Sequence, residues 1–305
     1  MHNVSIVVVG SVAFDTLKTP FGVREKILGG AATYFSLSAS FFTDVRVVAV
    51  VGEDFTAEHE AVMTSRGIDT RGIEHAAGKT FHWGGEYGEN VNEAKTNFTD
   101  LNVFENFQPK IPAEYQDSGY LFLANIQPEL QLDVRRKMPK VALVGGDTMN
   151  LWINIKRPEL LETLKEVDIL LINDTEAKML AGENSLVLSA RKILKMGPRS
   201  LVIKHGEYGA TLFFGDGSHP FRAPALPIAE VQDPTGAGDT FAGGFMGYIA
   251  SQPKLTRSVL KHAMFYGGVM GSFTVERFGP ERLITLTREE IEERFKLFRS
   301  LTHLD

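Results

Sequence analysis

From Val4 onward, short β-branched apolar runs alternate with longer stretches of helical character: Val4 to Val9, Ala31 to Phe42, Val45 to Val51, then Thr56 to Arg66. This strand–helix–strand–helix order predicts a mostly parallel sheet covered by helices. The rhythm resumes at Tyr120 to Ala124, Val141 to Val144, Ile169 to Ile172 and Leu201 to Ile203, each followed by a helix-compatible stretch or a glycine turn. Beyond Asp239 the pattern is almost wholly helical.

Two intervals break the rhythm. Residues Thr80 to Gln108 alternate aromatic and polar positions with glycines, which predicts antiparallel ribbon strands in place of another strand–helix unit. A shorter irregular piece, Leu17 to Leu28, lies between the first strand and the first helix. Such insertions near the mouth of a parallel sheet either build a lid or remain ordinary surface loops. There is no internal repeat and no low-complexity linker. The expectation is one domain over residues 1–305, a doubly wound α/β sheet with a small β lid at 17–28 and 80–108.

Composition then narrows the function classes. Of 305 residues, 43% are hydrophobic and 23% charged, enough apolar material for a full core. The net charge of −6, with no long run of Lys or Arg, disfavours a nucleic-acid partner. The lack of cysteine excludes a thiol nucleophile, a Cys-ligated zinc and a disulfide framework. Met1-His2-Asn3 lacks the start of a signal peptide, and no run approaches the ~20 apolar residues of a membrane span. A cytoplasmic protein without a membrane partner is expected, and the Asn-x-Thr triplets at Asn97 and Asn173 are then chance matches.

The most informative segment is Asp233-Pro234-Thr235-Gly236-Ala237-Gly238-Asp239, which runs directly into the apolar stretch Thr240 to Ala250. A glycine-rich turn that opens a helix leaves backbone N–H groups unpaired and aims them, with the positive end of the helix dipole, at one point. Phosphoryl transfer needs such a place, because its transition state spreads negative charge over oxygens. Asp239 ends the turn, where a carboxylate can take a proton from an attacking hydroxyl, a contribution of about 10²–10⁴ in rate. As a simple capping acid it would instead stabilise the first helical turn by ~1 kcal/mol.

Two other nucleotide motifs fail. Gly78-Lys79-Thr80 lacks the glycine that a P-loop places five positions earlier, where Ile73 stands, and the residues after Thr80 are ribbon-like, not helical. Val9-Gly10-Ser11-Val12-Ala13-Phe14 has one glycine where a dinucleotide fingerprint needs three. The histidines at 75, 82, 205, 219 and 262 show no metal-ligand spacing.

The string from Asp233 to Asp239 resembles the C-terminal signature of the ribokinase, or PfkB-type, carbohydrate kinase family. The resemblance implies that Asp239 is the catalytic base, that Gly236, Ala237 and Gly238 form the anion cradle, and that Asp233 lies near a monovalent-cation site, K⁺ in the simplest case. Further segments fall in the family's order along nearly the whole chain. Asp15, in Gly10 to Asp15, is similar to the family's substrate-contacting Asp, and Gly29-Gly30 to its N-terminal glycine pair. Asn173-Asp174-Thr175-Glu176 matches an Asn-x-x-Glu that organises Mg²⁺ and phosphate, usually through water, although a capping box has the same spacing. Lys204-His205-Gly206-Glu207-Tyr208-Gly209 resembles a nucleotide-side turn, so Lys204, Gly206 and Gly209 are expected to approach ATP; alone it reads as a hairpin.

Two departures bear on the substrate. Tyr34 stands where many sugar kinases of the family carry Asn, and Gly29 to Tyr34 looks closer to inositol-type relatives; Tyr34 is counted among the substrate contacts. Asp147 to Trp152 resembles the family's Asp-x-Asn-x-Arg with Trp152 in place of Arg, which removes a phosphate clamp. Phe14, Tyr34, Phe81, Trp83 and Trp152 are candidates to stack on a nucleoside base, and equally to pack in the core or the lid. The expected activity is ATP-dependent phosphorylation of a sugar or cyclitol hydroxyl. An adenosine-type nucleoside kinase is the enzymatic alternative, and a non-catalytic sugar or nucleotide sensor the alternative of another class. Exposed ribbon edges leave open a homodimer formed through the lid.

Overall fold

The structure is a computed structural model that describes residues 4–88 and 94–302. Met1 to Asn3, and residues 89–93 of the second expected insertion, lie outside the described residues.

Among the described residues thirteen strands form two sheets: β1 (Ile6–Val9), β2 (Ala13–Thr19), β3 (Gly22–Gly29), β4 (Val45–Val51), β5 (Asp69–His75), β6 (His82–Tyr87), β7 (Ala94–Asp100), β8 (Tyr120–Leu123), β9 (Leu143–Gly146), β10 (Ile169–Asn173), β11 (Ser200–Lys204), β12 (Ala210–Phe214) and β13 (Phe221–Ala223). The large sheet has nine strands in the order β13-β12-β11-β10-β9-β8-β1-β4-β5. From β11 to β5 neighbouring strands are parallel, and β12 and β13 close one edge antiparallel.

The all-apolar run of β1 follows from burial on both faces, since successive residues of a strand point to opposite sides. Ile6 and Val8 enter a core shared with helices Ala31–Ala39, Ala237–Ala250, Arg257–Thr274 and Arg288–Ser300. Val7 and Val9 enter a second core on the other face with helices Pro128–Lys137, Arg157–Leu164, Asp174–Ala181 and Leu186–Leu194. This is the doubly wound α/β arrangement expected from the alternation.

Some elements depart from the sequence pattern. β5 has no counterpart among the expected strands, because Asp-Thr-Arg-Gly-Ile-Glu-His at the sheet edge has little apolar signal. The expected strand at Val141 to Val144 begins two residues later and ends on Gly145 and Gly146, small enough for Met246 and Val167 to pack directly against them. The expected helix at Ala31 to Phe42 stops at Ala39.

The second sheet has four strands in the order β3-β2-β6-β7. β2 pairs antiparallel with β3 and parallel with β6, so the two interrupting segments meet in one sheet. Its first strand starts at Ala13, ahead of the expected boundary at Leu17, and Asp15 therefore lies on this sheet. Asn102–Asn106 is a 3₁₀ turn instead of ribbon.

Helix Ala237–Ala250 bears Asp239 in its first turn, and glycines set how closely it packs. A side chain at Gly243 would overlap the Phe35 carbonyl, and Ser38 Oγ donates to the Thr240 carbonyl at 2.7 Å. Replacing a helical glycine ordinarily gains a few tenths of a kcal/mol to ~1 kcal/mol. Here overlap with backbone that cannot yield should outweigh that gain. Gly243→Val is expected to lower stability by about 2 kcal/mol, read by thermal or denaturant melting; an unchanged or raised melting temperature would contradict this packing.

Candidate active site

The turn before helix Ala237–Ala250 is tied down from behind. Asp233 is fully buried, and its Oδ1 accepts from Thr235 N at 2.9 Å while Oδ2 accepts from Gly279 N at 2.8 Å. Gly236 caps the helix at φ +73°, a left-handed conformation, and a side chain there would overlap the ring of Tyr34. Glycine is required at this point both for the backbone and for the space. Ala237 N is taken by the Pro234 carbonyl at 3.2 Å and Thr240 N by the Gly236 carbonyl at 2.8 Å, so the expected role of the Ala237 N–H in an anion cradle is corrected; Gly238 and Asp239, between them, have the N–H groups that a helix start leaves without a backbone partner. Gly238 lies against Lys204: a Cβ on it would sit 2.9 Å from Nζ.

Lys204 draws several strand ends together. Its Nζ lies 3.3 Å from Asp147 Oδ2, and both side chains are largely buried. Asp147 follows β9, Lys204 ends β11, and Asn173 ends β10 between them. Glu176 Oε2 accepts from Asn173 N at 2.8 Å and Asn173 Oδ1 from Glu176 N at 2.8 Å, a reciprocal capping box. The capping box thus engages Asn173 Oδ1 and Glu176 Oε2.

The electrostatics follow from burial of like charges. Burial, then the Asp147 charge, pushes the Asp239 carboxyl up to about 7, with Lys204 pulling it back. Burial, then Asp147, likewise lifts Glu176 to about 7. Burial lifts Asp147 itself, against the adjacent ammonium. Burial works against the charge on Lys204, but Asp147, Glu176 and Asp239 outweigh it and raise its pKa. One ammonium therefore holds together three carboxyls that repel one another.

Asp15 forms the other wall. It is 4% exposed, and a side chain on Gly29 would overlap its carboxyl. Gly30 has φ +93°, and a side chain there would overlap the Ser11 carbonyl. The pair Gly29-Gly30 is thus what lets Asp15 fold back onto the start of the first helix. Burial, then the charges of Asp233 and Asp239, pushes Asp15 up to about 8, so it shares an electrostatic environment with the glycine turn.

Other expected residues are placed differently. Tyr34 is 1% exposed with its ring beneath Gly236, so it is a floor for the turn more than an open contact. Gly206 and Gly209 form a hairpin turn between β11 and β12, both at positive φ, and a side chain on Gly209 would overlap the Ala223 carbonyl. Phe14 is buried beside Phe55, Phe81 stacks on Phe104, and Trp83 donates to Thr96 within the small sheet. Trp152 lies at the strand ends, where its Nε1–H donates to Asn125 Oδ1 at 2.8 Å. Thr80, from the string that fails as a P-loop, is buried and donates to Asp54 at 2.6 Å, a structural tie.

Sequence reasoning finds Asp147 only as part of an altered motif, and passes over Asn125 and Tyr87. The carboxyl at a strand end is the available signal for Asp147. Nothing local marks the other two.

Residues 3–285 match the pfkB family carbohydrate kinase. A cytidine kinase from Thermococcus kodakarensis is 35% identical over 256 residues, 81% of this chain and 90% of that protein. A nucleoside kinase from Burkholderia thailandensis, solved with inosine, superimposes with a TM-score of 0.80 at 20% identity, covering 96% of this chain and 97% of that one. The Arabidopsis thaliana ribokinase complexed with ribose and ATP gives 0.78 at 19% identity, covering 96% and 98%. The chain belongs to the pfkB family of carbohydrate kinases, ATP-dependent phosphotransferases that phosphorylate a hydroxyl of sugars or nucleosides. Among the described residues no helix is long and apolar enough to cross a membrane.

The raised carboxyl of Asp15 carries a stability consequence. Between its ordinary value of 3.8 and about 8 the folded protein keeps a proton that the unfolded chain has released, so stability falls as pH rises through that window. Asp15→Asn removes this dependence. Its melting temperature should fall less than that of the parent between pH about 5 and about 8; parallel curves would show that Asp15 ionises normally.

Proposed function

We propose that the protein is a nucleoside kinase of the pyrimidine-accepting kind, in which Asp239 takes the proton from the acceptor hydroxyl. The observation that carries the chemistry is the Asp239 carboxyl, held at about 7, beside a helix N-terminus and the Lys204 ammonium. A base near neutral pKa combines an available ionised form with useful basicity. The choice of acceptor is supported by the 35% identity to a cytidine kinase over 90% of its length.

In this reading Asp15, with Gly29 and Gly30, holds sugar hydroxyls of the acceptor. Asp239 removes the proton as the hydroxyl oxygen bonds to the γ-phosphorus, the bond to the bridging oxygen breaks, and ADP leaves. The N–H groups of Gly236 and Gly238, together with Lys204, stabilise the charge on the transferring group, while Ala237 N, bonded to the Pro234 carbonyl, holds the turn in shape. Gly206 and Gly209 allow the nucleotide close to the backbone.

Glu176, with one oxygen fixed by Asn173 and its charge opposed by Asp147 and Asp239, fits a place where a cation is welcome. Mg²⁺ carried by ATP would neutralise phosphate charge there, reached by Glu176 through water. Both oxygens of Asp233 are engaged by backbone N–H groups, so Asp233 orders the turn whether or not K⁺ binds nearby.

The Trp152–Asn125 pair favours a base over a bare sugar. With its carbonyl oxygen taken by the indole, Asn125 presents N–H, of which one lies 3.0 Å from Met149 Sδ, a weak acceptor. An aromatic face beside a fixed amide donor suits a planar ring that carries a carbonyl. The small sheet, as a lid, would exclude water from the reaction.

ATP consumption with Mg²⁺ should be greatest with cytidine among cytidine, adenosine, inosine, ribose, fructose and myo-inositol. Asp239→Asn should lower kcat by at least ~10²-fold. Preferred turnover of a free sugar or cyclitol would overturn the acceptor assignment and restore the sugar kinase, and turnover that survives the substitution would remove Asp239 from the mechanism. ATP or acceptor binding without turnover would favour a sensor.

A further inference from the structure

The small sheet touches the turn at Asp233–Asp239 from two sides. On one side, Thr235 Oγ1 donates to the Tyr87 hydroxyl at 3.1 Å, and Tyr87 is the last residue of β6. On the other, a side chain on Gly279 would lie 2.7 Å from Ile27 Cδ1 of β3, while Arg24 of the same strand sits over the Phe278 ring at 4.7 Å. Gly279 N donates to Asp233 Oδ2, whose other oxygen accepts from Thr235 N. The turn is therefore gripped at Thr235 through a side chain and at Asp233 through the 278–279 segment. Both grips end on strands of the sheet that also carries Asp15.

Tyr87 reaches into the same electrostatic environment as the acids of the site. Burial, then Asp233, Asp15 and Asp239, raises its pKa, while the hydrogen bond from Thr235 opposes the rise. Its hydroxyl thus stays neutral and serves as an acceptor for Thr235. A phenylalanine in its place would keep the ring and lose only this contact.

We propose that Tyr87 is a positioning residue, its hydroxyl latching the small sheet onto Thr235 so that the Gly236–Gly238 cradle is held in working shape only while the sheet lies over the site. This rests on the reading of that turn as the phosphoryl cradle. Thr235 is bonded through its backbone to Asp233 and adjoins Gly236, whose left-handed conformation sets the direction of the first helical N–H groups. Loss of the latch frees the turn at its N-terminal side, while Asp239 itself, anchored in the helix, keeps its place. Transfer to the acceptor is slowed more than acceptor binding is weakened.

The test compares the parent with Tyr87→Phe, Thr235→Val and the double variant in two measurements. Amide hydrogen exchange of the ligand-free proteins should show faster exchange at Thr235 N, bonded to Asp233, and Ala237 N, bonded to the Pro234 carbonyl, in Tyr87→Phe, with β10 and β11 unchanged. In steady-state kinetics with the best acceptor, each single variant should lower kcat about 3- to 10-fold, the factor one neutral hydrogen bond carries, with acceptor KM changed less than about 2-fold. The double variant should be no slower than the worse single one. Unchanged exchange in Tyr87→Phe would overturn the latch irrespective of activity, as would losses that multiply in the double variant. Faster exchange with unaltered kcat would leave the latch standing and remove the turn from the rate, which counts against the cradle reading and against the positioning role together.

Discussion

The site depends on a buried cluster of charge at the ends of three adjacent strands. Lys204, Asp147 and Glu176 are brought together by β11, β9 and the helix after β10, and Asp239 arrives from the glycine turn pressed against the Lys204 ammonium. Removing like charges from water is costly, and a fold gains no stability by concentrating three carboxyls around one cation. Burial, then repulsion from Asp147, holds Asp239 and Glu176 near neutral pH, and under the proposed function that is where a proton can move or a cation be held. The parallel order of the sheet is what makes the cluster possible, because it places the ends of many strands on one side.

Glycine does much of the remaining work by letting charged groups come close. Gly238 admits the Lys204 ammonium, Gly29 admits the Asp15 carboxyl, and Gly236 admits the Tyr34 ring beneath the turn. The small sheet closes the arrangement from above, carrying Asp15 on one strand and meeting Thr235 through Tyr87 on another. Under the proposed function, acceptor binding and cradle geometry would be linked through one structural element, a physical basis for transferring phosphate to an acceptor in preference to water.

Much of this is legible in the chain. The apolar runs of β1 and β4, the latter interrupted only by Arg46, and the glycine turn at 233–239 are local signals, and each forms the element it predicts. The roles of Asp147, Asn125 and Tyr87 are not legible, because they arise from partners 57, 27 and 148 residues away. Composition alone does not divide the aromatic set between stacking and packing: Phe14 and Phe81 pack inward, which only the pairing of the strands and the two cores decides. β5 escapes notice because an edge strand needs little apolar sequence, and the strand character of Ala13 to Asp15 is fixed by pairing with β3 and β6.

The central claim, that burial and Asp147 hold Asp239 ready to act as a base near neutral pH, is tested most directly by titrating its carboxyl carbon. Carbon-13 NMR of the ligand-free protein, labelled at aspartate carboxyls and assigned with Asp239→Asn, would be followed across pH. The account predicts a titration of Asp239 centred near pH 7 that moves lower in Asp147→Asn. A midpoint near 4, roughly the value of an ordinary solvated aspartate, would contradict it.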